Sequence, residues 1–189
     1  LYHNDTVLIR AQSSVADIAS TLYRNGMISD PRIFRLGLRA YGNDATLKAG
    51  EYEIKARASM YDIMELLKSG RSVQYAITVP EGMTVEVAFA RIAAMEELDG
   101  PMPEELAAEG SIATDTIRFT RGTKRQDIID KLMADQKALV ERIWASRAPD
   151  LPLKDVNEFV TLASIVEKET GRADERSRVA SVFINRLRK

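Results

Sequence analysis

The spacing of apolar residues changes along this chain of 189 residues, and the change limits the folds that it can adopt. Before about residue 80, alternating apolar segments are interspersed with short helix-like ones, whereas from about residue 84 a 3.6-residue period dominates. Alternation is typical of half-buried strands, and the longer period is typical of amphipathic helices. The sequence therefore predicts an α+β fold, in which a small unit of strands and short helices precedes a mainly helical region.

Two of the short helices are predicted by the same capping pattern. Ser14 is followed three residues later by Asp17, and Ser59 is followed three residues later by Asp62, which is the spacing of a capping box. Apolar residues then recur on one helical face, and each helix stops at a glycine. Strands are predicted near residues 5–10, 51–56 and 73–79.

Further helices follow from start and stop signals of the same kind. Asp30 before a proline starts one of them, Thr84 caps another, and Thr123 with Gln126 has the spacing of a capping box. The predicted spans are Asp30 to about Tyr41, Thr84 to about Leu98, Glu105 to Gly110, Thr123 to about Ala145, about Asn157 to Thr170, and from about Glu175 onward.

The composition argues against several classes of function. The net charge is -1, so the chain has no basic field to attract nucleic acid. Cysteine is absent and His3 is the only histidine, which argues against a metal site built from thiolates or imidazoles and against a Ser-His-Asp triad. No run of residues approaches the roughly 20 apolar residues that cross a bilayer. We therefore expect neither a metal nor a nucleic-acid partner.

Two carboxylates stand out because they lie on an otherwise apolar helical segment. Glu167 and Glu169 both fall at the rims of one apolar face, and helical periodicity does not choose between them. Apolar surroundings favour the protonated form of a carboxylate, which suits proton donation near neutral pH. The alternative is that both glutamates are solvated edges of an ordinary helix.

The residues around these glutamates carry a family resemblance. Residues 163–170 read ASIVEKET, residues 175–176 read ER, and residues 179–187 read VASVFINRL. This signature resembles that of the endolytic murein transglycosylases, the YceG-like family. Weaker similarity extends upstream over residues 28–34, 47–52, 66–70 and 79–84. In one place the chain departs from the family, because residues 114–117 read TDTI where a Pro-Asp/Glu-Thr-Tyr turn is usual.

The resemblance implies a division of the chain. Residues 1–79 would form a LysM-like α/β region, and residues 80–189 the N-terminal part of the transglycosylase catalytic domain. The first region would bind glycan, or else serve only as a packing or spacer domain. A membrane anchor before residue 1 and a further part of the catalytic domain after residue 189 are also implied. We therefore expect residues 1–189 alone to be inactive.

The resemblance also implies the chemistry. The family pattern selects Glu169 as the acid, which would cleave the bond between MurNAc and GlcNAc within nascent peptidoglycan strands. The MurNAc 6-hydroxyl would then attack its own C1, giving 1,6-anhydroMurNAc ends and limiting glycan elongation without a metal or a cofactor. Glu167 is expected to bind substrate or to be a surface residue. Asn185 and Arg186 could contact sugar or peptide, although Arg186 could equally pair with a glutamate.

The implied setting is the bacterial inner membrane, with a single-pass anchor and the catalytic part facing the periplasm. The expected partners are peptidoglycan glycan strands and peptidoglycan synthases. Two other functions compete with this interpretation. One is a non-catalytic peptidoglycan-binding module in which Glu169 is structural. The other is a pyridoxal-dependent aminodeoxychorismate lyase, a label that the family has carried, but no Gly-rich phosphate loop is visible in the sequence.

Overall fold

The structure is a computed structural model that describes residues 3–41 and 47–189. The chain divides into two compact units, one formed by residues 1–75 with 118–123 and the other by residues 76–117 with 124–189. Within the described residues, none of the helices has both the length and the apolar character that crossing a bilayer requires. The assignment of residues 1–79 to a LysM-like region and of residues 80–189 to a catalytic domain stays a prediction.

The first unit contains two helices between two paired strands. Its elements are β1 (Asp5–Ile9), α1 (Val15–Arg24), α2 (Pro31–Ala40), β2 (Gly50–Ile54) and α3 (Met60–Ser69). The strands β1 and β2 pair antiparallel, with Asp5 opposite Ile54 and Ile9 opposite Gly50. The described part of this unit therefore has the predicted strands and short helices.

The two predicted serine caps are confirmed. The Ser14 hydroxyl accepts a hydrogen bond from the Asp17 amide, and the Ser59 hydroxyl accepts one from the Asp62 amide, each at 3.2 Å. The aspartate side chains in turn accept from the serine amides, which completes both capping boxes. Gly70 ends α3 with φ 73°, a left-handed conformation that favours glycine.

The core of the first unit is made by side chains that alternate inward on the strands and recur at helical spacing on the helices. The largest fully buried side chains in it are Leu22, Phe34, Tyr52, Ile54, Ile63 and Leu67. The hydroxyl group of Tyr52 donates a hydrogen bond to the carbonyl of Lys48 at 2.8 Å, so this buried polar atom has a partner. Burial raises the pKa of the Tyr52 phenol.

The remaining part of the chain is mostly helical. Its elements are β3 (Tyr75–Thr78), α4 (Val85–Ala93), β4 (Thr116–Phe119), α5 (Arg125–Ala145), α6 (Val156–Glu169) and α7 (Arg176–Leu187). The strands β3 and β4 pair to form a second two-stranded sheet. Four helices after a small region of strands and helices agree with the predicted α+β fold, and β4 is the one strand that interrupts the helical region of the described residues.

The helix α4 is shorter than its apolar pattern predicts. It starts after Thr84 as expected, but it ends at Ala93 rather than near Leu98. The Arg125 guanidinium donates hydrogen bonds to the carbonyls of Ala93 and Met95, at 3.3 and 2.8 Å. These carbonyls at the end of α4 therefore accept hydrogen bonds from a side chain of another element. In a longer helix they would accept from the amides of the next helical turn.

Two other local predictions are wrong. Residues 105–110 form no helix, and Glu109 within them accepts a hydrogen bond from the Val85 amide. The helix α5 begins at Arg125 without the predicted cap, because the Thr123 hydroxyl donates to the Thr120 carbonyl at 2.8 Å. Around Glu109 a tertiary hydrogen bond forms where the local pattern predicts a helix. At Thr123 a turn hydrogen bond forms where the pattern predicts a helix cap.

Candidate active site

The helix α6 carries both candidate glutamates, and its start is fixed by a side-chain cap. The Asp155 carboxylate accepts a hydrogen bond from the Glu158 amide at 2.9 Å, and the Glu158 carboxylate accepts one from the Lys154 amide at 2.7 Å. The first bond satisfies a backbone donor that the first helical turn leaves free, and the second holds the residue before the cap against that turn. The observed helix, Val156–Glu169, agrees with the predicted span to within one residue at each end.

The end of α6 is set by Thr170 rather than by the glycine that follows it. Thr170 has an extended backbone, with φ -150°, and its amide donates to the Val166 carbonyl. Its side chain is only 8% exposed, and the hydroxyl accepts from the Arg172 amide and donates to the Glu175 carboxylate, each at 3.1 Å. This buried hydroxyl therefore ties the last turn of α6 to the start of α7.

A second link between the two helices involves Glu167. The Arg176 guanidinium lies 2.9 Å from one carboxylate oxygen of Glu167 and 3.2 Å from the other. The Glu167 side chain is 27% exposed, so the pair is partly shielded from solvent. Both oxygens of this carboxylate are thus engaged by a residue of α7.

Glu169 has a different environment although it lies only two residues further along the chain. Its side chain is exposed at the C-terminal end of α6, so the described structure does not bury it among apolar residues as expected from the sequence. Among the described residues, no hydrogen bond or ion pair engages its carboxylate, in contrast to that of Glu167. A ligand could therefore reach the Glu169 carboxylate without displacing a protein group.

A cavity of about 360 Å³ lies along the face of α6 that includes Glu167. Its other walls come from the loop before α4, from the segment around Glu109, and from α5. Its polar lining residues are Glu81, Thr84, Glu109, Thr114, Gln136, Thr161, Ser164 and Glu167. Glu169 is not among the residues that line this cavity. Carboxylates, hydroxyls and an amide are groups that can hydrogen-bond a polar ligand.

Two glycines allow the walls of this cavity to approach α6 closely. Gly82 has φ 71°, and a Cβ atom at this position would lie 3.2 Å from the Cε of Lys168. Gly110 has φ 78°, and a Cβ atom there would lie 2.7 Å from the Cγ1 of Val160. Both positions therefore combine a left-handed backbone with a close contact to α6, and glycine meets both requirements.

The structure does not gather all the predicted site residues into one cavity. Arg186 lines a different cavity of about 570 Å³, together with Ile165 and Phe183 among other residues, and makes no ion pair with the described residues. Asn185 is exposed on α7. Neither residue lines the cavity beside Glu167. The geometry thus separates Glu167 from Asn185 and Arg186, while Glu169 lies at the exposed end of α6.

Sequence reasoning missed the residues that fix the end of α6. Thr170 and Arg176 belong to the quoted motifs, but their roles depend on contacts across the turn between α6 and α7. The motif at residues 79–84 supplies Glu81, Gly82 and Thr84 to the cavity, and apart from Thr84, which was predicted as a helix cap, only its resemblance to the family singled it out. In the turn itself, hydrogen bonds from Arg172 lower the pKa of Asp174.

No group of three or more His, Asp or Glu side chains in the described residues is placed to hold a metal ion.

Comparison with known proteins places these motifs in a family. Endolytic murein transglycosylases from Streptococcus pneumoniae serotype 2 (strain D39) and from Bacillus subtilis (strain 168) are each 26% identical to this chain over 96% of its length. The chain spans 40% of the length of the first protein and 58% of the second. A crystal structure of a YceG-like protein from Listeria monocytogenes matches with a TM-score of 0.47 and 26% identity, over 97% of this chain and 70% of the other.

A sequence profile of the YceG-like family matches residues 7–189, which is nearly the whole chain. This match confirms the family that the ASIVEKET and VASVFINRL segments predicted, and it includes α6, α7 and the cavity beside Glu167. The chain belongs to the YceG-like family.

Proposed function

We propose that the protein containing this chain is a lytic transglycosylase that cleaves the bond between MurNAc and GlcNAc within nascent peptidoglycan strands. Membership of the YceG-like family supports the proposal, as do the two relatives that are named endolytic murein transglycosylases. The observation that carries it is the exposed carboxylate of Glu169, which has no partner among the described residues and lies at the end of α6, within the motif that marks the family. The product would be a strand that ends in 1,6-anhydroMurNAc.

Glu169 is the proposed acid and base. In its protonated form it donates a proton to the glycosidic oxygen as the bond from that oxygen to C1 of MurNAc breaks. The resulting carboxylate then accepts the proton of the MurNAc 6-hydroxyl as this oxygen forms a bond to C1. The proton that is donated in the first step is thus recovered in the second. Most glycosidases use two carboxylates, but here the hydroxyl of the substrate replaces the second carboxylate and the water.

In this mechanism the protein must position the MurNAc unit, and it does not need a second catalytic residue. An intramolecular attack gains from proximity, so a correctly held MurNAc needs no cofactor. The cavity beside Glu167 offers hydroxyl, amide and carboxylate groups that could bind parts of the glycan strand. Glu167, paired with Arg176, is assigned to substrate binding or to support of α6. Asn185 and Arg186 are assigned to more distant contacts with the substrate.

The proposed enzyme has a glycan-binding region and a membrane setting. The strand–helix–helix–strand order from β1 to β2 supports a LysM-like role for the first unit in binding glycan. We place the protein at the bacterial inner membrane, held by a single-pass anchor, with the catalytic part in the periplasm. Its partners would be glycan strands and the synthases that make them.

The test compares Glu169→Gln with Glu167→Gln in the full-length protein. The assay is the release of 1,6-anhydro muropeptides from purified glycan strands, measured by mass spectrometry. General acid–base catalysis typically contributes about 100-fold to 10,000-fold, so Glu169→Gln should lower the rate by about that factor. Glu167→Gln should retain more activity, since its role is binding or support. Unchanged activity of Glu169→Gln would show that the acid lies elsewhere.

The same preparations separate catalysis from binding. If the protein is only a peptidoglycan-binding module, the unmodified protein will release no anhydro product, yet it will still bind glycan strands. If our proposal is correct, Glu169→Gln will bind strands about as tightly as the unmodified protein and will fail to cleave them. Circular dichroism of both variants checks that each is folded.

A further inference from the structure

The helix α2 presents an exposed face with two adjacent stripes of different character. Arg32, Arg35 and Arg39 recur at intervals of three and four residues, so their side chains follow one side of the helix. Leu36 and Ile33 lie on the neighbouring side, within about 100° of Arg32 on the helical circumference. All five side chains are exposed. We call these five residues the α2 face.

The exposed apolar residues are not a sign of a loosely packed helix. On the opposite side of α2, Phe34 is fully buried and Leu38 is 5% exposed, so the helix is firmly packed into the first unit. Leu36 and Ile33 nevertheless remain 66% and 57% exposed. Close to the C-terminal end of α2, the rings of Tyr41 and Tyr61 pack 5.4 Å apart and both stay largely exposed. Apolar area therefore lies in the open beside a row of arginines.

The three arginines have no acidic partner among the described residues. α2 itself contains no aspartate or glutamate, and the carboxylate of Asp30, which precedes it, accepts hydrogen bonds from amides of the first helical turn. On α1 and α3, which pack against α2, Asp17 and Asp62 bind their own capping serines. Glu65 of α3 pairs with Lys68 at 2.5 Å. Within the described residues, the positive charge of the α2 face is thus uncompensated, although the chain as a whole carries a net charge of -1.

We propose that the α2 face binds the surface of an anionic lipid bilayer, with α2 lying in the plane of the interface. A bilayer surface offers negative headgroups to the arginines and, just beneath them, hydrocarbon to Leu36 and Ile33. A soluble polyanion would use the arginines alone and would leave the apolar stripe in water. The inference concerns a peripheral contact and is independent of the proposed enzymatic activity.

The first experiment measures sedimentation of the chain with vesicles of phosphatidylglycerol and phosphatidylcholine, and with vesicles of phosphatidylcholine alone. We expect binding to the mixed vesicles only, and weaker binding at high salt because the attraction is screened. Each basic residue near an anionic surface contributes a factor of about five, so the triple variant R32Q/R35Q/R39Q should lose about 100-fold in affinity. A control triple variant on α5, K131Q/K137Q/R142Q, removes the same charge and should bind as the unmodified chain does.

A second variant distinguishes a bilayer from other anionic partners. I33S/L36S keeps every arginine and should weaken binding to the mixed vesicles by about tenfold, because apolar area no longer enters the interface. Its binding to heparin, used as a soluble polyanion, should be unchanged. Equal vesicle binding by this variant would mean that the face recognises anions without a membrane and would overturn the proposal. Binding to pure phosphatidylcholine vesicles, or no vesicle binding at all, would also overturn it.

Discussion

Thr170 illustrates how one buried polar atom can determine the geometry of the proposed site. Its hydroxyl group joins the Arg172 amide to the Glu175 carboxylate, and in doing so it fixes the backbone immediately after Glu169. An apolar side chain could take the place of the threonine methyl group. It could not replace the hydroxyl, because the Arg172 amide and the Glu175 carboxylate would each lose a hydrogen-bond partner. The local arrangement therefore depends on the hydroxyl rather than on the shape of the residue.

We expect Thr170→Val to lower the free energy of unfolding of this chain by about 1–2 kcal/mol, since valine keeps the shape and loses both hydrogen bonds. Thr170→Ser keeps the hydroxyl and should cost less. Urea unfolding followed by circular dichroism measures both values. If the two variants were equally stable, the hydroxyl would not be what holds the turn between α6 and α7.

The two glutamates show how far the sequence could predict the site. The apolar pattern located α6 to within one residue at each end, because the helical period is a local property of the chain. The choice between Glu167 and Glu169 was left open by periodicity, since both lie at rims of the same face. Their different environments come from Arg176, which reaches Glu167 from the next helix. A contact across a turn cannot be read from the spacing of apolar residues.

At the scale of elements, most predictions that succeeded depend on a hydrogen bond within a few residues, although the cap predicted at Thr123 failed because its hydroxyl donates to the nearby Thr120 carbonyl. The capping boxes at Ser14 and Ser59 are of this kind, because donor and acceptor are three residues apart. Predictions failed where a distant group takes part. The end of α4 depends on Arg125, about 30 residues away, and the segment around Glu109 is held by an amide of α4. These two failures, at the end of α4 and around Glu109, are tertiary effects on local propensity.

The contact between the segment at Gly110 and α6 gives a prediction at this scale. Gly110 and Gly100 both have φ close to 80°, but only Gly110 has a neighbour within 4 Å of the position where a Cβ would be placed. Gly100→Ala should therefore cost about 1–2 kcal/mol of unfolding free energy, from backbone conformation alone. Gly110→Ala should cost at least about 1 kcal/mol more, because its Cβ would clash with Val160.

Thermal or urea unfolding of both variants tests this difference, with the Gly100 variant as the matched control. Equal losses would mean that Val160 shifts without cost, and that the close approach of the segment to α6 has no energetic role. The structure would then give no reason for glycine at this position beyond its positive φ.

At the scale of the whole molecule, the sequence could not predict which segments of the chain make up the first unit. Residues 118–123 belong to it although they follow more than forty residues of the second unit. A polar cluster accompanies them, in which Glu51 of β2 accepts hydrogen bonds from Arg121, at 3.0 Å, and from the Tyr75 hydroxyl. The Arg121 guanidinium also lies over the Tyr75 ring, and that ring stacks on Phe119. Three separate segments of the chain meet here, and no local pattern joins them.

This cluster should make the stability of the chain depend on pH. Burial raises the pKa of Glu51, but hydrogen bonds from Tyr75 and Arg121 lower it by more, so the pKa lies below its ordinary value of 4.5. The unfolded chain therefore binds a proton at Glu51 more readily than the folded chain does. The stabilisation from this carboxylate is fully present above pH 4.5 and is lost as the pH falls through the lower value of the folded state.

We expect Glu51→Gln to be less stable than the unmodified chain by about 1–2 kcal/mol at neutral pH, because a carboxylate that is only 14% exposed loses its charged hydrogen bonds. The difference should shrink as the pH falls below 4.5 and through the lower pKa of the folded state, where the unmodified chain becomes protonated at the same site. The control is Glu53→Gln on the same strand, whose exposed carboxylate bonds only to Asn4 among the described residues. It should change stability by less than about 0.5 kcal/mol at every pH.

Urea unfolding curves across this pH range provide the measurement. A constant difference between Glu51→Gln and the unmodified chain would show that the ionised form of Glu51 does not stabilise the fold.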